Sequence, residues 1–280
     1  MATLTGQNGE TPVFETRNLT YNYDENQIAL DGVNLSIRVG ESVAILGSNG
    51  SGKSTLLKLL DGLYFPASGE ICAFGQPLSE QNLAEEAFNF DFRRRVGLVF
   101  QDSDVQLFSP SVWDEVAFSP LQLGFTVGEV ERRVADALQA LRIEKLSGRA
   151  PHRLSGGEKK RVAIASVLSL NPQVWLLDEP TAGLDPRSQS WLIDFILEQR
   201  QAGKTMVTAT HDLSIVEEIA DRVYILDEAH QLVAEGAPGA LLKDTALLVA
   251  CNLVHAHRHR HAGGEHAHVH THAQHHEHET

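Results

Sequence analysis

The eight residues Gly47-Ser48-Asn49-Gly50-Ser51-Gly52-Lys53-Ser54 restrict what this chain can fold into more than any other stretch of it. They follow Ser42-Val43-Ala44-Ile45-Leu46, a short apolar run that reads as a buried parallel strand, and precede a helical segment from Lys53 to about Asp61. A glycine-rich turn between a strand and a helix lets several backbone N–H groups point at one anion, and the helix start adds its positive dipole end. Lys53 is then placed for the β and γ phosphates of a nucleoside triphosphate. The Ser54 hydroxyl, with Thr55 beside it on the helix, is placed for Mg²⁺ and phosphate. The expected fold is α/β, a mainly parallel sheet flanked by helices.

A second apolar strand, Val174-Trp175-Leu176-Leu177, delivers Asp178 and Glu179 to its C-terminal end, where ligands bind in open parallel sheets. Asp178 can hold Mg²⁺, and Glu179 can orient or deprotonate the water that attacks the γ-phosphate. A solvated acidic turn before Pro180 would need no such pairing with Lys53. Upstream, Leu154-Ser155-Gly156-Gly157-Glu158 opens a long helical pattern. Ser155 reads as its N-cap, and the glycines leave backbone N–H groups open to a second anion contact.

With these segments in place, the chain resembles the ATP-binding subunits of ABC transporters over about residues 13 to 240. The signature of that family ends in Gln where this chain has Glu158. The resemblance implies an antiparallel β subdomain beside the P-loop core and a helical subdomain over about 102–170. It places Tyr23 as the aromatic residue stacked on adenine, with Tyr21 as the alternative. Gln101 corresponds to the glutamine that senses Mg²⁺, Asp185 to the loop that communicates across a dimer, and His211 to the switch histidine at the γ-phosphate. It also implies that two subunits meet head to tail, with Lys53 and Glu179 of one facing Ser155 and Gly157 of the other across ATP. One chain suffices chemically for a symmetric pair, so a homodimer is expected.

Composition narrows the class. No run approaches ~18 uninterrupted apolar residues, so no spanning helix is expected, and the N-terminus lacks the pattern of a signal peptide. Residues 1–12 read as a loose leader. Cys72 and Cys251 are far apart in sequence, which fits a reducing compartment. A formal net charge of −14 argues against nucleic acid as the main ligand.

Between Gln101 and the signature the chain reads on through Phe108, Ser111-Val112-Trp113-Asp114-Glu115 and Val116-Ala117-Phe118. Ser111 can cap a short helix with Val112 and Val116 on one face. This segment, together with Lys159-Lys160-Arg161, resembles the ATPases of energy-coupling-factor importers, and among them the nickel/cobalt members. That resemblance implies a groove for the coupling helix of a transmembrane scaffold subunit, and a further membrane subunit that binds the cargo. Asp114 or Glu115 is expected to accept an Arg from the helix, beside an apolar floor that includes Phe108 or Trp113. The expected location is the cytoplasmic face of the membrane, peripherally bound.

The end of the chain stands apart. After a C-terminal helix expected over 241–254, residues 255–280 hold eleven of the chain's fourteen histidines: His255, His257, His259, His261, His266, His268, His270, His272, His275, His276 and His278. A segment with so little to bury is expected to be disordered without a ligand. Its histidines are interleaved with Ala, Arg, Glu, Thr and Val rather than uniform, as a purification tag would be. Imidazole sites suit Ni²⁺, Cu²⁺, Zn²⁺ and Co²⁺. The reading is an ATPase that drives a nickel or cobalt importer, with a tail that buffers or senses metal. A vitamin importer of the same type would keep every nucleotide residue. A non-transport ABC ATPase should carry a long insertion or a basic surface.

Overall fold

The computed structural model describes residues 12–24, 27–261 and 264–271, from residue 255 onward as backbone alone. One sheet is antiparallel: β1 (Phe14–Asp24), β2 (Gln27–Ile37), β4 (Ser68–Ala73) and β5 (Gln76–Pro77), in the order β2-β1-β4-β5. On β2, Val33, Leu35 and Ile37 are buried while Gly32 and Asn34 are exposed, the alternation of a sheet with one wet face.

The other sheet contains β3 (Ser42–Leu46), β6 (Val96–Val99), β7 (Val174–Asp178), β8 (Thr205–Thr210), β9 (Arg222–Leu226) and β10 (Leu232–Gly236), in the order β10-β9-β3-β8-β7-β6. Neighbours are parallel except β10 against β9. Every residue of β3, β7 and β8 is buried, so their apolar runs do not alternate. Each face has its own core. Val43 and Ile45 join the antiparallel sheet and helix α1 (Lys53–Leu60), whereas Ala44 and Leu46 join the helical side. The phosphate loop therefore rises from a central strand clamped on both faces.

Helices α2 (Glu80–Ala84) and α3 (Glu86–Arg95) lead into β6. Between β6 and β7 lie α4 (Ser103–Gln106), α5 (Val112–Gln122), α6 (Val127–Ala140) and α7 (Gly156–Leu168). Val130, Val134, Ala137 and Leu138 form one buried stripe on α6, and they pack with Val112, Val116 and Ala117 of α5 and with the buried face of α7. Ser111 starts α5 by accepting from the Asp114 N–H, and Thr126 and Glu129 close a capping box on α6.

Helices α8 (Pro186–Gln201), α9 (Leu213–Ile219), α10 (Pro238–Leu241) and α11 (Thr245–Ala250) complete the layer. Residues 241–254, expected as one helix, are helical at Leu241, where α10 ends, and in α11 over Thr245–Ala250. Asp244 caps its start, and Asn252, at a left-handed φ of 55°, stops it. Cys251, Leu253 and Val254 then enter the core that also holds Ile215, Val216 and Ile219 of α9. At the start of the tail, β11 (Val254–His261) pairs antiparallel with β12 (Gly264–Thr271). Its alternation has the period of a strand, and backbone pairing needs no apolar core. The side chains of the tail histidines, and all of residues 272–280, lie outside the described residues.

Asp61, at the C-terminal end of α1, is buried and paired with Arg93 at 3.1 Å. Burial pushes its carboxyl from 3.8 up to about 7, against the pull of Arg93. Between those values the folded chain keeps a proton that the unfolded chain releases, so this contribution to stability is full at low pH and is lost as pH rises through 7. Thermal melts at pH 5 and pH 8 should show a smaller difference in Asp61→Asn than in the unmodified chain. Equal differences would remove Asp61 as the source.

Candidate functional site

Where β3 ends, the chain turns through Gly50 at φ 87° and Gly52 at φ 107° before α1 begins. Lys53, itself buried, curls back so that its Nζ donates to the Gly47 carbonyl at 2.8 Å and the Ser48 carbonyl at 3.1 Å. On the next parallel strand but one, β7 ends in Asp178 and continues to Glu179. The Ser54 hydroxyl donates to Asp178 Oδ1 at 2.8 Å, and Lys53 Nζ stands 3.3 Å from Glu179 Oε1. Two segments 124 residues apart in sequence thus meet in one cluster. Burial pushes the Asp178 carboxyl up, and the bond from Ser54 draws it back.

Glu179 is held on three sides. Its Oε2 accepts from the Thr210 hydroxyl at 3.2 Å and the His211 backbone N–H at 3.3 Å, while Oε1 lies 3.0 Å from His211 Nδ1. The residue also takes a left-handed φ of 40°, a costly backbone for any residue with a Cβ and one found where a site demands it. Ser48 Oγ, Ser51 Oγ, Glu179 Oε1 and His211 Nδ1 are all buried with no aligned hydrogen-bond partner. Of these, Glu179 Oε1 and His211 Nδ1 lie 3.0 Å apart, and unsatisfied polar groups beside a phosphate loop suit the oxygens and metal waters of a Mg²⁺-triphosphate. Among the described residues no group of three His, Cys, Asp or Glu is arranged to hold a metal. Ser54 and Asp178 suit Mg²⁺, which commonly binds through few protein ligands together with phosphates and water.

Lys53, Ser54 and Glu179 line a cleft of about 490 Å³ that also reaches Asn49, Gly50, Thr55, Gln101 and Tyr23, while Ser48, Ser51, Asp178 and His211 are outside its lining. Tyr23 is half-exposed at its rim, with its hydroxyl 2.8 Å from Thr55 Oγ1. Tyr21, the alternative, is instead stacked flat on Tyr64 at 5.2 Å and is outside the cleft lining. His230 was not anticipated from the sequence. It lines the cleft with Nδ1 3.3 Å from the Ser51 carbonyl, at a left-handed φ of 65°. No motif marks it; only the fold brings the β9–β10 turn to the loop.

Ser155, Gly156, Gly157 and Asp185 lie together in a different cleft, of about 850 Å³. Ser155 and Glu158 close a reciprocal cap: the Ser155 hydroxyl donates to Glu158 Oε2 at 2.9 Å, and the backbone N–H of Ser155 does so at 2.8 Å. These bonds hold the Glu158 carboxyl below its ordinary range. Asp185 caps α8 through the Arg187 and Ser188 N–H groups and accepts the Ser188 hydroxyl at 2.7 Å.

Lys160 is the other residue whose task was not read in advance. Buried on α7, it donates to the Phe100 carbonyl at 3.1 Å and the Gln101 carbonyl at 2.8 Å, and burial lowers its pKa. Gln106 bonds the Phe100 N–H and reaches Ala163 and Ser166 of α7. The loop carrying Gln101 is therefore stapled to the helix that starts at Ser155.

Beside that loop a groove of about 440 Å³ runs between α3, β6, α5 and α7, lined by Asp61, Arg93, Phe108, Glu115 and Phe118 among others. Its apolar surface includes the exposed Leu63 and Val105 and the exposed pair Phe108 and Phe118, edge to face at 4.9 Å. Of the two acids singled out from the sequence, Glu115 lines it, although its Oε2 already accepts from the Phe108 and Ser109 N–H groups at 2.9 and 2.7 Å. Asp114 accepts the Ser111 hydroxyl at 2.6 Å and is outside the groove lining. Trp113 packs on the core, so Phe118 and not Trp113 joins Phe108.

Residues 30–182 match the family description "ABC transporter". The chain is 50% identical over 247 residues to the nickel import ATP-binding protein NikO of Rhodobacter capsulatus, which covers 87% of this chain and 96% of that one. It is 42% identical over 243 residues to the energy-coupling factor transporter ATP-binding protein EcfA of Methanothermobacter thermautotrophicus, covering 86% and 76% respectively. Among solved structures, cbiO1 of Clostridium perfringens, described as part of the ABC transporter complex cbiONQ, superimposes with a TM-score of 0.73 at 38% identity, over 87% of this chain and 96% of that one.

Proposed function

The chain belongs to the ATP-binding subunits of ABC transporters, ATPases coupled to transport, and on that premise we propose that it powers import of nickel or cobalt ions in an energy-coupling-factor type complex. The observation that carries the reading is the conjunction of a triphosphate site with a His-dense tail, in a chain half identical to a nickel import protein. In this reading Lys53 binds the phosphates and Ser54 and Asp178 hold Mg²⁺, which neutralises phosphate charge when bound. Glu179, steered by Thr210 and His211, takes a proton from the attacking water or aligns it. Tyr23 stacks on adenine. Ser155 and Gly157 of a second copy close the site, with Asp185 at the junction, so ATP binding shuts the dimer and hydrolysis releases it.

Gln101 passes the state of the site to a membrane partner. Its loop is tied through Lys160 to the signature helix and borders the groove, where a helix of the transmembrane scaffold subunit docks on Phe108 and Phe118. A separate membrane subunit binds the cargo. The described residues contain no helix long and apolar enough to cross a membrane, and peripheral attachment at the cytoplasmic face follows from the docking. Phe108→Ala with Phe118→Ala should abolish most co-purification with the scaffold while nucleotide binding persists. Losing about 2 kcal/mol of burial weakens assembly roughly thirtyfold. Unchanged assembly would move the docking site elsewhere.

The tail buffers metal on the inner side or senses it to restrain uptake. Cargo is tested by elemental mass spectrometry of cells that express the transporter with either intact Glu179 or Glu179→Gln. Nickel or cobalt accumulation in the intact form alone names the ion. No change in either metal, with the proteins assembled, would redirect the reading to another cargo such as a vitamin.

A further inference from the structure

The backbone register of the C-terminal hairpin places histidine opposite histidine three times over: His255 with His270, His257 with His268, and His259 with His266. Alternate residues of a strand share a face, so these six positions fall on one face of the ribbon. The other face receives Ala256 with Val269, Arg258 with Ala267 and Arg260 with Glu265. This segregation depends on parity. The paired residue numbers sum to an odd value, so an odd position on β11 always meets an even one on β12. Histidines occupy odd positions before the two glycines, at 255, 257, 259 and 261, and even positions after them, at 266, 268, 270 and 272. Had the second series kept the parity of the first, each histidine would oppose Ala, Arg, Val or Glu, and the two series would lie on opposite faces.

We propose that this hairpin is a binding site for divalent first-row transition-metal ions, built on the three register positions at which a histidine of one strand stands opposite a histidine of the other. Directly opposed residues in an antiparallel pair have Cβ atoms about 4.5–5.5 Å apart, closer than the roughly 6.6 Å between alternate residues along one strand. Two imidazole nitrogens bound to one ion at about 2.0–2.1 Å each favour the shorter span. Imidazole is a suitable ligand for Ni²⁺, Cu²⁺ and Zn²⁺. An isolated two-stranded ribbon is marginal in water, and ions that bridge the strands add their binding energy to its folding. The root is fixed, because Leu253 and Val254 are buried in the core where β11 departs. The site extends the tail's part in the proposed metal import, and it stands or falls separately from the cargo.

The test compares two full-length variants that each lose two histidines, titrated with Ni²⁺ by equilibrium dialysis without nucleotide. His255→Ala with His270→Ala removes both members of one pair and leaves two pairs intact. His255→Ala with His268→Ala breaks two pairs and leaves one. The first should retain about one more bound Ni²⁺ per chain than the second, since histidines outside the three pairs contribute equally to both. Equal capacity in the two variants would overturn cross-strand pairing, and so would an unmodified chain that binds no Ni²⁺. Neither result touches the uptake measurement, which reads cargo in cells.

Discussion

Glu179→Gln should bind ATP as the unmodified protein does and turn it over about 10²–10⁴ times more slowly, the usual contribution of a positioned base. The substitution keeps size and hydrogen bonding but removes the carboxylate's second basic oxygen. Oε2 is already engaged by Thr210 and the His211 N–H, so Oε1, between Lys53 at 3.3 Å and His211 at 3.0 Å, is the oxygen left to face a water. A Gln amide can preserve the Thr210 contact and cannot accept the water's proton. Binding is read with a fluorescent nucleotide and turnover by phosphate release. Because closure precedes hydrolysis, ATP and Mg²⁺ should also drive the variant into a dimer that elutes early on size exclusion. Turnover at the unmodified rate would assign the base elsewhere, with His211 the next group in reach.

Residues that act through backbone geometry were legible before any coordinates. A glycine-rich loop, an acid pair after an apolar strand and a Ser-Gly-Gly helix start each advertise a local conformation, and local conformation is what a sequence encodes most directly. What stayed hidden depends on long-range placement. His230 reaches the Ser51 carbonyl across 179 residues, and Lys160 crosses to the Gln101 loop; an isolated His or Lys carries no sign of that. Glu115 shows the opposite failure. Its position beside Asp114 suggested a free charge for a partner, yet the chain uses it to satisfy two of its own N–H groups. The paired histidines of the tail were visible as a period, whereas their partners required the register.

Gly52→Ala should reduce ATP affinity by at least a hundredfold, and Gly50→Ala should do much less. Both glycines have positive φ, 87° at Gly50 and 107° at Gly52, so either alanine brings backbone strain, on the order of 1–3 kcal/mol. The surroundings separate them. A Cβ at Gly50 meets nothing within 4 Å, whereas at Gly52 it would stand 2.3 Å from the Ala29 carbonyl oxygen and 2.8 Å from Leu30 Cδ2. Ala29 and Leu30 belong to β2 and are buried, so neither can step aside without moving the antiparallel sheet from the loop. Relief by moving the loop instead would displace Lys53 and Ser54, the next two residues, from their places over Gly47, Ser48 and Asp178. Overpacking of this kind costs about 1–3 kcal/mol beyond the strain, and about 2.7 kcal/mol already amounts to a hundredfold. Titration of both variants with a fluorescent ATP analogue, beside thermal melts to confirm that each is folded, gives the comparison. Similar affinities in the two would mean that the close approach of β2 to the loop does not hold the phosphate cradle in shape.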